Sequence, residues 1–105
     1  MDKDLIEKNI KKAIRDKSTV EITYTSSVGN RAERIISPWA LGKTISEKKQ
    51  IVGYQHQGGG HTGIAKFDLD NIEHVTFVLK EGINFEMPTV PARSFYEIIL
   101  DGYFC

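Results

Sequence analysis

The spacing of apolar residues changes once along the chain, and this change limits the fold more than any other feature of the sequence. Between Asp4 and Asp16 apolar residues recur at helical spacing, which predicts one amphipathic helix over residues 4–16. From Thr19 onward the period falls to two, which is typical of half-buried strands. One helix followed by several short strands predicts a mainly β domain with flanking helices.

The predicted helix has an acidic start and a basic end. Asp4 is expected to cap its N-terminus, with Glu7 reaching back as in a capping box. The basic end around Lys17 could contact phosphate, but a solvated face that complements the helix dipole is the simpler interpretation. The buried stripe is expected to contain five apolar side chains, namely Leu5, Ile6, Ile10, Ala13 and Ile14.

Turn residues divide the next part of the chain into five predicted strands. Pro38 is expected to end the second strand, because proline cannot donate to a ladder. We expect a loop over residues 42–49 and a tight turn over residues 69–72. Because five short strands cannot form a large sheet, a small, strongly bent antiparallel barrel is predicted. The five strands are residues 19–25, 31–37, 50–57, 64–68 and 73–79.

The C-terminal residues 80–105 are predicted to form an extension with a short helix. This tail is too apolar to remain free in solution. We expect it to pack back on the barrel, so that residues 1–105 form a single domain. The alternative is that it buries its apolar face against a second copy or another protein. The helical spacing is carried by Ala92, Phe95, Tyr96, Ile99 and Leu100.

Length and charge exclude several classes of protein. A chain of 105 residues has no room for a separate catalytic domain. The formal net charge is zero, which excludes a strong overall attraction to nucleic acid or anionic lipid. However, residues 1–49 hold eleven Lys/Arg and seven Asp/Glu, whereas residues 50–105 hold three and seven. The front half is therefore the half expected to face an anion.

Cysteine content and hydropathy indicate the compartment. The single cysteine, Cys105, cannot form an intrachain disulfide, so a reducing, cytoplasmic setting is expected. The residues that follow Met1 do not resemble a signal peptide. No apolar run approaches the roughly 20 residues that cross a bilayer, so no membrane partner is expected.

Neither a phosphate loop nor a metal site is indicated. The three glycines of residues 58–60 lack a following Gly-Lys-Ser/Thr and a helix, so they are expected to form a hairpin connection. His56, His61 and His74 lack the helical spacing of a zinc enzyme, and no cysteine can join them. We therefore expect no metal and no cofactor. His56 is the histidine expected to touch a ligand, and His74 is expected to be exposed.

Catalytic residues are also not indicated. The serines and threonines lack an elbow motif that would activate a nucleophile. Asp68 and Asp70 are two residues apart and could act as an acid and a base, or hold a metal. Asp70 nevertheless suits the predicted turn, where its side chain can accept backbone N–H groups. We therefore expect a protein that is not an enzyme.

Four short segments occur in an order and spacing that point to a known family. They are residues 20–24 (VEITY), 34–41 (RIISPWAL), 50–54 (QIVGY) and 67–72 (FDLDNI). Together with the preceding helix, they resemble the WYL domain from about Leu5 to Leu79. This resemblance implies an SH3-like or Sm-like β-barrel. It also implies a ligand-sensing or nucleic-acid-sensing module of bacterial transcription regulators. Some members of the family are attached to helicases and defence proteins.

Two motifs of that family are altered in this sequence. The Trp-Tyr-Leu motif falls on Lys49-Gln50-Ile51, so both aromatic residues are missing. The Arg-x-Phe-Arg-Leu-Asp-Arg motif falls on residues 65–71, where the packing and turn positions are kept. Because arginine makes bidentate phosphate contacts, its loss should weaken polyanion binding. The three arginines are replaced by Ala65, Asp68 and Asn71.

The sequence therefore predicts a non-enzymatic, WYL-like regulatory module that binds a small anionic ligand, a nucleotide or single-stranded nucleic acid weakly. A role in bacterial transcription regulation or defence is expected. The alternative is an assembly module that joins to itself or another protein through residues 85–104. The resemblance places Arg34 and His56 at pocket positions, and core packing is an equal interpretation for the two tyrosines. The candidate ligand-binding residues are Arg34, Tyr54, His56 and Lys66, with Gln50 and Tyr24 at the pocket edge.

Overall fold

One α-helix and six strands make up most of the regular structure of the described residues. The computed structural model describes residues 1–26, 28–58, 60, 62–78, 83–88 and 97–102. A single turn of 3₁₀ helix, Leu69–Asn71, joins the fourth strand to the fifth, as the predicted tight turn requires. The prediction of a mainly β protein is confirmed. The elements are α1 (Lys3–Asp16), β1 (Val20–Thr25), β2 (Arg31–Lys43), β3 (Lys49–Gln57), β4 (Gly63–Asp68), β5 (Ile72–Phe77) and β6 (Glu97–Asp101).

The six strands form one antiparallel sheet. Its order is β4-β3-β2-β1-β5, and β6 pairs with β2. One half of β2 pairs with β1, from Arg31 to Ile36, and the other half pairs with β6, from Ala40 to Lys43. In the described part of the chain no ladder joins β4 to β5, so the sheet is open where a closed barrel was predicted. The 3₁₀ turn lies between these strands and buries Leu69 there.

The core lies between α1 and one face of the sheet, which we call the inner face. Val20, Ile22 and Tyr24 of β1 are buried on this face, as their period-two spacing predicts. Leu5 is 44% exposed and does not belong to the helix stripe. Because neighbouring helix residues are rotated by about 100°, the burial of Ile6 turns Leu5 toward solvent. The helix residues in the core are Ile6, Ile10, Ala13 and Ile14.

Helix α1 begins before the predicted capping residue. Asp2 is the N-cap, and its side chain accepts the Asp4 backbone N–H at 2.8 Å. The predicted capping box of Asp4 and Glu7 is wrong, because lysines hold Glu7. Its carboxylate accepts from Lys49 at 2.6 Å and from Lys11 at 2.9 Å. The hydrogen bond from Lys49 is the main reason why the pKa of Glu7 is lowered.

Replacing Asp2 by alanine should lower the free energy of unfolding by about 1 kcal/mol, because the Asp4 N–H loses its acceptor. The control is Asp4→Ala, measured by chemical denaturation in high salt, where interactions with the helix dipole are screened. This control should have the smaller effect. Equal losses in the two variants would contradict the assignment of Asp2 as the cap.

Strand β2 continues through Pro38, where the sequence predicted its end. Pro38 pairs with Gly53, and the register shifts between Pro38 and Ala40, so Trp39 forms a bulge. Proline is tolerated at a bulge because the ladder bond is interrupted there. A side chain on Gly53 would overlap the Ser37 carbonyl oxygen, so glycine permits the close approach of β3 to this bulge.

The predicted loop over residues 42–49 is a short hairpin turn. The Thr44 N–H donates to the Lys48 carbonyl and the Glu47 N–H donates to the Thr44 carbonyl, each at 2.9 Å. Glu47 adopts a φ of 66°, which closes the turn. Because this turn is compact, β2 extends to Lys43 and β3 begins at Lys49.

Strand β5 does not follow the predicted alternation. Ile72 and Val75 are its buried residues, whereas Phe77, which a period of two would place on the same side as Val75, is 36% exposed. The opposing ladder shifts register between Thr23 and Tyr24, which changes the alternation of side chains. Leu79, the last residue of the predicted strand, lies outside the described residues.

Residues 97–101 form strand β6 where a C-terminal helix was predicted. Ile99 and Leu100 pack against the core, which confirms for this segment that the tail packs back on the sheet. A strand is favoured because β2 extends beyond the end of β1 and offers unpaired backbone groups, which a helix cannot satisfy. The earlier part of the predicted helix, residues 92–96, lies outside the described residues.

Candidate ligand site

Arg34 of β2 lies on the inner face of the sheet, opposite the core residue Ile22 of β1. Its guanidinium carbon lies 5.0 Å from the ring centroid of Tyr24 and 5.9 Å from that of Phe67. These two rings meet edge to face, with their centroids 5.1 Å apart. The three side chains form a cation–π group, in which aromatic rings support a half-buried positive charge.

Gln55 of β3 holds this group in place. It is fully buried, and its Oε1 accepts from Arg34 Nη1 at 3.2 Å. Its Nε2 donates to the Gly58 carbonyl at 2.7 Å. Gly58 has a φ of 98°, and a side chain there would overlap the Glu33 carbonyl oxygen, so Gly58 lies directly against β2. Gln55 was not among the residues predicted from the sequence, although it follows the buried strand positions Ile51 and Gly53 at a spacing of two, which was a usable signal.

The positive charge of Arg34 is not matched by a carboxylate in the part of the chain that the structure describes. The ion pairs found there join Arg31 to Glu73 and several lysines to other acids. Arg34 Nε is also buried without a hydrogen-bond acceptor among those residues. An unpaired buried donor and an uncompensated charge both cost stability. An anion bound beside Arg34 would remove both costs.

Asp68 is bonded to Tyr24 through its backbone and to Gln50 through its side chain. The Asp68 backbone N–H donates to the Tyr24 hydroxyl at 3.1 Å, and Gln50 Nε2 donates to Asp68 Oδ1 at 2.7 Å. Tyr24 is thus a core residue that also contacts Arg34. The carboxylate of Asp68 is engaged by Gln50, and it does not neutralise Arg34.

Tyr54 and His56 lie on the opposite face of β3, which we call the outer face. They flank Gln55, and successive strand residues point to opposite sides of a sheet. Their rings lie 5.0 Å apart, and His56 Nε2 is 2.7 Å from Ser37 Oγ. Burial lowers the pKa of His56, and the charge of Glu86 opposes that shift. The predicted single pocket is therefore divided between two faces.

Lys66 also lies apart from Arg34. It is exposed on β4 opposite Val52, and it alternates with the buried Phe67. Within the described part of the chain it makes no ion pair. Lys66 could attract an anion to the outer surface, but it does not contribute to the group around Arg34.

The described residues also bear on the predicted acid pair, on the other histidines, and on a metal site or a membrane-spanning helix. Asp70 pairs with Lys3 at 3.3 Å, whereas Asp68 binds Gln50, so the two carboxylates have different partners. His74 is exposed as expected, and His61 lies outside the described residues. Among the residues that the structure describes, no group of three His, Cys, Asp or Glu could hold a metal ion. No helix in the same part of the chain is long and apolar enough to span a membrane.

The described part of the tail favours an internal role over an assembly surface. Ile99 and Leu100, which the assembly hypothesis needs at an interface, are packed against the core. Trp39 Nε1 donates to the Glu86 carbonyl at 2.7 Å, and this bond attaches residues 83–88 to β2. Exposed apolar side chains in the described tail are Met87 and Ile98.

Comparisons with known proteins agree with this architecture. The family model described as "WYL domain" matches residues 6–77. Among solved structures, the chain is similar to the proteasome accessory factor B/C (PafBC) of Arthrobacter aurescens, with a TM-score of 0.69 and 23% sequence identity. The similarity covers 85% of this chain and 14% of that chain. A search of curated proteins finds no match. The chain thus shares its fold with a small part of a much longer protein.

Proposed function

The chain belongs to the WYL domain family, and from this membership and the geometry around Arg34 we propose that it is a regulatory binding module for an anionic ligand. The ligand is a small anion, a nucleotide or single-stranded nucleic acid, and the regulated process is bacterial transcription or defence. We further propose that the open sheet is a variant of the SH3-like or Sm-like barrel that the family implies. The proposal includes no catalytic step.

The observation that carries this proposal is that no carboxylate among the described residues pairs with the guanidinium of Arg34. The neutral amide of Gln55 fixes its position at 3.2 Å without cancelling its charge. A structural arginine at this depth would ordinarily be paired with a carboxylate. The site therefore keeps a positive charge that a ligand can neutralise.

The surroundings of Arg34 indicate how the ligand is recognised. Tyr24 and Phe67 are 7% and 1% exposed, and Arg34 covers them, so neither ring can stack on a nucleobase. Recognition through the negative group of the ligand is therefore favoured over recognition of a base. Because Ala65, Asp68 and Asn71 stand where the family motif has arginines, we expect weak binding.

Calorimetric titration of the full chain at two salt concentrations tests the proposal. The probes are a mononucleotide and a short single-stranded oligonucleotide, with the uncharged nucleoside as control. With one or two phosphate contacts, oligonucleotide affinity should fall about threefold to sevenfold between about 50 and 200 mM salt. The nucleoside should not bind. Affinity that does not change with salt, or binding of neither phosphate probe, would contradict the proposal.

A further inference from the structure

Residues 83–88 belong to no helix or strand, yet one of them, Glu86, is hydrogen-bonded to side chains of β2. The Glu86 N–H donates to Ser37 Oγ at 3.0 Å, and the Glu86 carbonyl accepts from Trp39 Nε1 at 2.7 Å. Ser37 and Trp39 are both fully buried. We call residues 83–88 the strap, and the hydrogen bonds described between the strap and β2 are the ones to these two side chains.

We propose that protonation of His56 loosens the strap, so that this segment is a pH-responsive element of the domain. The junction is Ser37 Oγ, which lies 2.7 Å from His56 Nε2 and 3.0 Å from the Glu86 nitrogen. Thr19 Oγ1 is a third neighbour, at 3.5 Å. The proposal goes beyond ligand binding at Arg34, since these groups lie on the outer face.

With a neutral imidazole, all three neighbours of Ser37 are compatible. The Glu86 N–H can only donate, so Ser37 Oγ accepts that bond. The hydroxyl proton of Ser37 is then donated to His56 Nε2, in the tautomer that carries its proton on Nδ1. A hydroxyl that donates a hydrogen bond becomes a better acceptor, so the bond to His56 strengthens the bond from Glu86.

With a protonated imidazole, the direction of that bond reverses. His56 Nε2–H must donate to Ser37 Oγ, which then accepts from two N–H groups at once. The hydroxyl proton of Ser37 can then be donated only to Thr19 Oγ1, which lies 3.5 Å away, at the limit of hydrogen-bond distance. The Glu86 N–H therefore loses cooperative support and competes with a second donor for the same oxygen.

The groups around His56 determine which form prevails. Ser37 faces it from β2, Tyr54 from β3 and Glu86 from the strap. Burial lowers the pKa of His56 from its usual value of 6.5, and Glu86 opposes this to a smaller extent. The strap is therefore expected to stay hydrogen-bonded to Ser37 and Trp39 at neutral pH, and to loosen as the solution becomes acidic.

Trp39 is the single tryptophan of the chain, so its fluorescence reports the strap directly. We expect emission from the full chain to shift to longer wavelength between about pH 8 and pH 5, with a midpoint below 6.5, while the far-ultraviolet circular dichroism is unchanged. His56→Gln should remove this transition. His74→Gln and His61→Gln should retain it.

A second variant separates loosening of the strap from unfolding. Ser37→Ala should give the acid-type emission at every pH, because the Glu86 N–H has lost its acceptor. Protection of the indole N–H against exchange, measured by NMR relative to the intrinsic rate at each pH, provides an independent readout of the Trp39 bond to Glu86, and it should fall in acid. A transition that persists in His56→Gln, or no transition in the wild-type chain above about pH 4, would overturn the proposal.

Discussion

Replacing Phe67 by alanine should lower the free energy of unfolding by about 3–5 kcal/mol, the largest stability loss that we expect from a single substitution. Phe67 is 1% exposed on β4, and its ring meets Tyr24 edge to face. The same ring supports the guanidinium of Arg34. Its removal leaves a cavity beneath the candidate site that a close-packed interior closes only in part.

Phe77→Ala is the matched control for this prediction. Phe77 lies on β5 and is 36% exposed, so its removal should cost less than about 1.5 kcal/mol. Denaturant unfolding of both variants measures the difference. Equal losses would show that Phe67 is not at the centre of the core and that the inner face has been placed wrongly.

The period of the apolar residues was sufficient to predict the elements whose burial is decided locally. Strand β1 follows its alternation from Val20 to Tyr24, and α1 follows its helical stripe from Ile6 to Ile14. Each of these elements packs one continuous face against the core. In such elements the pattern of burial is visible in the sequence itself.

Long-range pairing decided the parts of the fold that the sequence did not reveal. β2 passes Pro38 because Gly53, on another strand, leaves room for a bulge at Trp39. Residues 97–101 are a strand because the free length of β2 offers them a partner. Neither cause lies within the segment whose structure it determines, so a local pattern of spacing could not show it.

The candidate site was predicted in part. Arg34 and Tyr24 lie together, but His56 and Tyr54 are on the other face. Alternation along β3 shows that Tyr54 and His56 share a face. It does not show which face meets Arg34, because the register of β2 and β3 shifts between Ile35 and Ile36. The pairing of β2 with β3 was needed to assign these residues to the inner or the outer face.

Removing the guanidinium of Arg34 should weaken binding of a short single-stranded oligonucleotide about 10-fold to 150-fold, the largest change in affinity that we expect. This range corresponds to the loss of about 1.5–3 kcal/mol from a charged hydrogen bond. Arg34→Ala should still fold, because the substitution also removes a buried donor that lacks an acceptor in the described part of the chain. Circular dichroism and thermal unfolding check that the variant is folded.

Arg31→Ala is the control, because Arg31 lies on the same strand and its loss changes the net charge equally. Its side chain is exposed and paired with Glu73 at 2.6 Å, so it is not free to bind a ligand. The most direct test of the account is calorimetric titration of the wild-type chain, Arg34→Ala and Arg31→Ala with the same oligonucleotide at low salt. Wild-type affinity in Arg31→Ala, with affinity at least about tenfold lower in Arg34→Ala, is the predicted result. Wild-type affinity in a folded Arg34→Ala variant would contradict the account.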